Sequence, residues 1–196
     1  MENIDYNKIK LETKHLILRS LKKSDALSIT KYLQEKAISE NTLIPYPYSL
    51  EDGYSFVKKS RANKKKLLFN LEFGVYHKEL KEVIGVVSLM KIDLNNKNCE
   101  SGSWIGKPFW GSGLIHEAKI EMYKFAFEKL KLRKIYSKVF TYNPRSFKHL
   151  EKLGFVRQGI YRKHLFRKGK FIDEYYYEML KEEFKYKDLK KKLLKD

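Results

Sequence analysis

Two hydrophobic periods alternate along the chain. Over residues 14–21, His15, Ile17 and Arg19 alternate with Leu16, Leu18 and Ser20, the two-residue period of a strand. Ser24 then stands as an N-cap, and Ala26, Leu27, Ile29, Thr30 and Leu33 recur at helical spacing to about residue 36. Pro45 and Pro47 break regular structure over 41–50. Ser49 followed by Asp52 has the form of a capping box and opens a second helix to about residue 65. Residues 69–76 and 83–92 read as strands joined by the polar turn at 77–82. A further turn at 93–98 leads into a strand at 99–105, completing a three-strand antiparallel meander.

The period then switches. Gly106, Gly111 and Gly113 punctuate a loop, after which Ile115, Ala118, Met122, Ala126 and Leu130 line one face of a helix. Residues 134–142 alternate as a strand. Asn143 caps the next helix, with Pro144 in its first position, Phe147, Leu150 and Leu153 inside, and Gly154 as its stop. Two last strands, 155–166 and 171–180, flank the turn Arg167-Lys168-Gly169-Lys170. A helix joining the strands at 99–105 and 134–142 implies a parallel pair inside a mixed, mostly antiparallel sheet flanked by helices, an α+β architecture. Residues 1–10 carry no period and read as a polar lead; 181–196 read as a lysine-rich tail, and 11–180 as one domain.

A strand, a glycine loop and a helix start make an anion cradle, because first-turn amides have no intrahelical partner and carry partial positive charge. Neither common phosphate fingerprint fits. The third glycine of a dinucleotide motif is replaced by His116, and no Gly-Lys-Ser/Thr follows Gly113. A plain tight turn feeding a core helix remains the other reading of this stretch.

Three longer segments resemble one family. "ESGSWIGKPFWGSGLIHEA" at 100–118 is similar to the coenzyme A motif of GNAT N-acetyltransferases of the RimJ/RimL type. "LETKHLILRSLKKSDA" at 11–26 and "NPRSFKHLEKLGFVRQGIYRKHLFRKGKFIDEYYYEML" at 143–180 resemble that family's opening and closing parts. Pro108, His116 and Gln158 depart from residues common in the superfamily. The resemblance implies the GNAT acyl-CoA N-acyltransferase fold, acetyl-CoA as acetyl donor and direct transfer to an amine. It implies an acetyl-CoA site of Trp104, Ile105, Gly106, Trp110, Gly111, Ser112, Gly113, Leu114, Asn143 and Ser146. In it the amides of 111–114 take the pyrophosphate and the strand edge at 103–106 takes the pantetheine arm. Glu100 matches a carboxylate that accepts a proton through a water, and Ser146 a hydroxyl near the sulfur; Tyr142 and Tyr161 are further candidate acids. Tyr46 and Tyr48 lie on what the family uses as an acceptor wall and read here as packing aromatics.

Composition narrows the partners. With 196 residues and 14% aromatics the chain can bury a core unaided. The single Cys99 makes no internal disulfide, the opening residues have no signal-peptide character, and no apolar run spans a bilayer, so a cytoplasmic protein without membrane contact is expected. His116-Glu117 lacks a second histidine at zinc-site spacing and no cysteine pair exists, so no metal is expected. The net charge of +18 draws polyanions: coenzyme A, an acidic protein, RNA or the ribosome. The acceptor expected is a protein N-terminal α-amino group, as in ribosomal-protein acetylation. The alternatives are a polyamine or antibiotic-like amine, or a non-catalytic basic module binding RNA or the ribosome; either a monomer or a homodimer fits.

Overall fold

The computed structural model describes residues 6–62 and 68–193. One eight-stranded sheet runs in the order β1-β2-β3-β4-β5-β6-β8-β7. β1 (Lys10–Glu12), β2 (Leu16–Arg19), β3 (Leu68–His77), β4 (Glu82–Asp93) and β5 (Asn98–Ile105) form an antiparallel run. β6 (Lys134–Phe140) joins β5 in parallel, and β8 (Lys170–Leu180) and β7 (Val156–Arg167) finish the sheet antiparallel. Helices α1 (Asp25–Leu33), α2 (Lys36–Asn41) and α3 (Leu50–Ala62) pack on its first half, around Leu21, Ile29, Leu33 and Val57. The main core lies under α4 (Leu114–Glu128), with α5 (Pro144–Lys152) and α6 (Tyr186–Leu193) adding to it.

Local chemistry explains most boundaries. Ser49 and Asp52 exchange bonds as a capping box: the Asp52 amide donates to Ser49 Oγ at 3.0 Å and the Ser49 amide to Asp52 Oδ2 at 2.8 Å. α3 is described to Ala62; the last residues of its expected extent lie outside the described residues. Gly154 stops α5 with φ +94°, a left-handed conformation that costs glycine least.

Three expectations need correction. Ser24 makes no side-chain cap; Asp25 does the work, accepting the Lys22 amide at 2.6 Å while Arg19 holds both its oxygens. The first helix also stops at Leu33, and a separate helix starts at Lys36. Thirdly, the described residues of the polar lead, 6–10, and of the lysine-rich tail, 181–193, are parts of the fold. Lys10 opens an edge strand, Tyr6 packs on Phe69, and Leu189 is buried against α4, where Tyr186 donates to Glu121 at 2.7 Å. An amphipathic segment is stabilised by the face it finds, which the local sequence does not contain.

Candidate active site

β5 and β6 pair only from Asn98↔Lys134 to Glu100↔Tyr136 and then part. β5 keeps its other neighbour as far as Ile105↔Gly85, and β6 continues along β8 to Phe140↔Glu174. A wedge therefore opens in mid-sheet, and the β6-facing edge of β5 runs without a strand partner from about Gly102 onward. Side chains brace its apex: Ser137 Oγ donates to the Ser101 carbonyl at 2.9 Å, and Ser101 Oγ lies 2.7 Å from the hydroxyl of the fully buried Tyr123 on α4. Unpaired strand backbone in such a position offers amides and carbonyls to an extended ligand.

The glycine loop closes one lip of this wedge. Gly111 and Gly113 have φ of +80° and +77°, and a Cβ at either would meet nothing within 4 Å, so the arc faces open space. Gly113 is the N-cap of α4, whose first intrahelical bond runs from the Glu117 amide to the Gly113 carbonyl at 3.0 Å. The Leu114 and Ile115 amides precede that bond, and that of Leu114 makes only a long 3.4 Å bond to Ser112 Oγ. These residues fit a phosphate group. Gly106 has a different role: a Cβ there would come within 2.6 Å of the Tyr32 ring, so close packing on α1 requires glycine. Trp110 donates its indole N–H to the Ile105 carbonyl at 2.9 Å, folding the loop back onto the end of β5. Ser112 is exposed, its hydroxyl donating to the Phe109 carbonyl, and Trp104 is half-buried beside both cores.

The start of α5 forms the other lip. Asn143 is buried and caps the helix by accepting the Ser146 amide at 3.2 Å, which leaves Ser146 half-buried in the first turn. Arg145 crosses the gap, its guanidinium 3.5 Å from the centre of the Trp110 ring. Behind it, α4 and α5 enclose basic groups. Lys119 is only 4% exposed, and burial pushes its ammonium down to about 8. The His149 ring meets His116 edge-on at 5.2 Å, and its Nε2 is buried without a hydrogen-bond partner among the described residues. Burial and the nearby Lys119 charge push that imidazole down to about 2. Both groups lie inside the helix pair, Lys119 in the second turn of α4 and His149 in the last turn of α5.

Glu100 sits at the apex of the wedge on the face away from α4, since its neighbours Cys99 and Ser101 are buried on the α4 side. Lys91 donates to it at 2.8 Å and Lys138 lies at 3.9 Å. Of the other candidate acids, Tyr142 is exposed and donates to the Glu40 carbonyl at 3.1 Å, and Tyr161 is exposed on β7. Tyr48 is buried, as a packing aromatic should be, while Tyr46 is half exposed. The sequence reading missed Lys119, Arg145 and His149. Lys119 was detectable as a charge at helical spacing from the apolar Ile115, Met122, Tyr123 and Ala126. His149 was detectable next to Leu150 on a helix with a buried face.

Residues 15–156 match the family model described as Acetyltransferase (GNAT) domain. The chain is 28% identical over 181 residues to the uncharacterized N-acetyltransferase p20 of Bacillus licheniformis, covering 89% of this chain and 97% of that one. It is 24% identical over 175 residues to the ribosomal protein uS5-alanine N-acetyltransferase of Escherichia coli, covering 85% and 88%. The spermidine N-acetyltransferase of Vibrio cholerae, solved with CoA and spermine, has the same fold at a TM-score of 0.75 and 23% identity, covering 87% and 98%. The chain belongs to the GNAT N-acetyltransferases of the RimJ/RimL type and is an acetyl-CoA-dependent acyltransferase.

Proposed function

We propose that the acceptor is a protein N-terminal α-amino group, with Glu100 taking its proton through a water and Ser146 serving the leaving sulfur. The charge around the wedge carries this reading: Glu100 is the one carboxylate on β5 and β6, and Lys91 and Lys138 share it. A polyamine brings several positive charges to a wall that already holds two lysines, whereas a peptide N-terminus brings one. The proton balance favours the same acceptor. An α-amino group has a pKa of about 8 and a lysine about 10.4, so at pH 7 a lysine amine costs roughly 3 to 4 kcal/mol more to neutralise. One shared carboxylate is adequate for the first.

When bound, acetyl-CoA supplies a thioester carbonyl open to attack by the amine. The work of the chain is mainly positional, and alignment of this kind is worth about 7 to 11 kcal/mol. The amides of Gly111, Ser112, Gly113 and Leu114 bind the pyrophosphate, those of Ser112 and Leu114 giving up their 3.4 Å bonds to the Phe109 carbonyl and Ser112 Oγ, while the Trp104–Ile105–Gly106 edge and Asn143 flank the pantetheine arm. Trp110 fixes the loop against Ile105. Ser146 keeps a hydroxyl proton beside the departing sulfur.

The test uses acetyl-CoA with three acceptors: a lysine-free peptide with a free N-terminus, an N-terminally blocked peptide containing lysine, and spermidine. Acetylation of the first alone, with a rate that levels off near pH 8, is expected; preference for spermidine sinks the reading. Ser146→Ala should lower kcat about tenfold or more with little change in KM for acetyl-CoA. For Glu100→Gln, a loss of roughly a hundredfold in kcat at pH 7 should shrink at pH 9, where the amine is neutral unaided. A loss that is the same at both pH values would make Glu100 only the partner of Lys91.

A further inference from the structure

β7 is an edge strand of 12 residues whose side chains are nearly all exposed. Together with the turn and the start of β8, residues 156–172 carry six Lys or Arg (Arg157, Arg162, Lys163, Arg167, Lys168, Lys170) and no Asp or Glu. None of the six forms an ion pair among the described residues. Arg167 is spent on the fold, donating to the Ser39 and Glu40 carbonyls of α2. Arg157 lies 4.7 Å from the centre of the Tyr175 ring.

Exposed rings are interleaved with these charges. Phe166 and Phe171 are each 64% exposed and face one another across the hairpin with centroids 5.0 Å apart, while Tyr161, further along β7, pairs with Glu174 and packs on Tyr176 on the opposite face of the sheet. Two large apolar rings left in water on one hairpin are costly unless something covers them. A cover must offer negative charge for the lysines and arginines and flat faces for the rings.

We infer that the β7–β8 hairpin is a binding surface for single-stranded RNA, with Arg162, Lys163, Lys168 and Lys170 on the phosphates and Phe166 and Phe171 against unpaired bases. Backbone phosphates satisfy free cations without regard to sequence, and any base can stack on an exposed ring. A duplex hides its base faces and leaves the rings uncovered. An anionic bilayer fits less well, because the tip of the hairpin is Arg167-Lys168-Gly169-Lys170, with no apolar wedge to enter the lipid. The surface adjoins the candidate active site: Arg167 contacts the hydroxyl of Tyr142, which directly precedes Asn143. It would therefore hold the enzyme on an RNA-bearing substrate particle while an N-terminus enters the wedge. The RNA contact itself does not depend on which amine is acetylated.

The full chain is titrated with a fluorescent 15-nucleotide single-stranded RNA at several salt concentrations. A log–log salt slope of roughly −3, from four phosphates at about −0.7 each, is expected. Arg162→Glu with Lys168→Glu and Lys170→Glu should weaken binding at least thirtyfold and flatten the slope by about two. Phe166→Ala with Phe171→Ala should weaken it roughly tenfold while leaving the slope unchanged. The control reverses Lys58, Lys59 and Arg61 on α3, the same change in net charge, and should cost less than threefold. The inference is overturned if that control loses as much as the hairpin variant. It is equally overturned if an RNA duplex, heparin or phosphatidylserine vesicles bind as tightly as the single strand. Because the aromatic variant leaves every charge in place, it tests the surface even if the charge-reversed protein fails to fold.

Discussion

Replacing Gly113 with alanine, alone or together with Gly111, is expected to raise the Kd for acetyl-CoA at least thirtyfold while lowering Tm by only a few degrees. Both residues are left-handed, with φ of +77° and +80°, and at both a Cβ has open space around it. The penalty is therefore conformational, about 1 to 2 kcal/mol for each L-residue held there, which in a domain of this size is a Tm loss of roughly 2 to 8 °C. The loop can escape that strain by rotating to negative φ, and the rotation re-aims the amides that converge at the start of α4. Binding then suffers more than folding. Gly106→Ala is the opposite case, because its Cβ would press on the Tyr32 ring at 2.6 Å, and Tyr32 is anchored by a 2.6 Å bond from its hydroxyl to Glu82. That variant should lose stability first. Calorimetry with acetyl-CoA alongside thermal melts separates the two patterns, and equal losses of binding and stability at Gly113 would reduce the loop to a structural turn.

The same loop shows what the sequence could reveal. Its glycines, the capping pair Ser49 and Asp52, and the Asn143-Pro144 start of α5 act within three or four residues of themselves, so their chemistry is local and legible. The hairpins were legible from alternation alone. The wedge was not, because it depends on a register between β5 and β6 that lasts three residues and then fails, a property of two segments thirty-six residues apart in the chain. The docking of α6 was hidden for a related reason. A short lysine-rich stretch with Tyr186, Leu189 and Leu193 on one side becomes a stable helix only once Phe184 reaches Tyr123 and Phe127 and Lys190 reaches Glu121. Within the candidate site, Glu100 could be named from the sequence, but its two lysines come from β4 and β6, and that pairing sets the charge argument for the acceptor.

Removing the buried basic groups between α4 and α5 should stabilise the protein and weaken its hold on acetyl-CoA. His149 is held neutral, facing Lys119 and His116 of α4 with Lys152 on its own helix. Its folded pKa lies below its unfolded value of about 6.5, so the unfolded chain takes up the proton first. Stability is then intact above about pH 6.5 and falls by about 1.4 kcal/mol per unit as pH drops below it. His149→Leu should remove that acid slope and, by eliminating an unpartnered buried nitrogen, add about 1 to 3 kcal/mol at pH 7. Lys119 behaves differently with pH. Its folded pKa of about 8 lies below the usual 10.5, so the ammonium destabilises the fold at neutral pH and the loss is recovered as pH rises from 8 to 10.5. Lys119→Met should therefore gain roughly 3 kcal/mol at pH 7 and little above pH 10.5. The two gains should not add, because the Lys119 charge is part of what depresses His149. Urea titrations at pH 5, 7 and 9 check the signs, and a wild-type curve flat between pH 7 and 5 would refute the His149 assignment. If the groups serve the anionic cosubstrate, the stabilised variants should show a KM for acetyl-CoA raised severalfold with kcat nearly unchanged. An unchanged KM would leave their cost in stability without a return at this site.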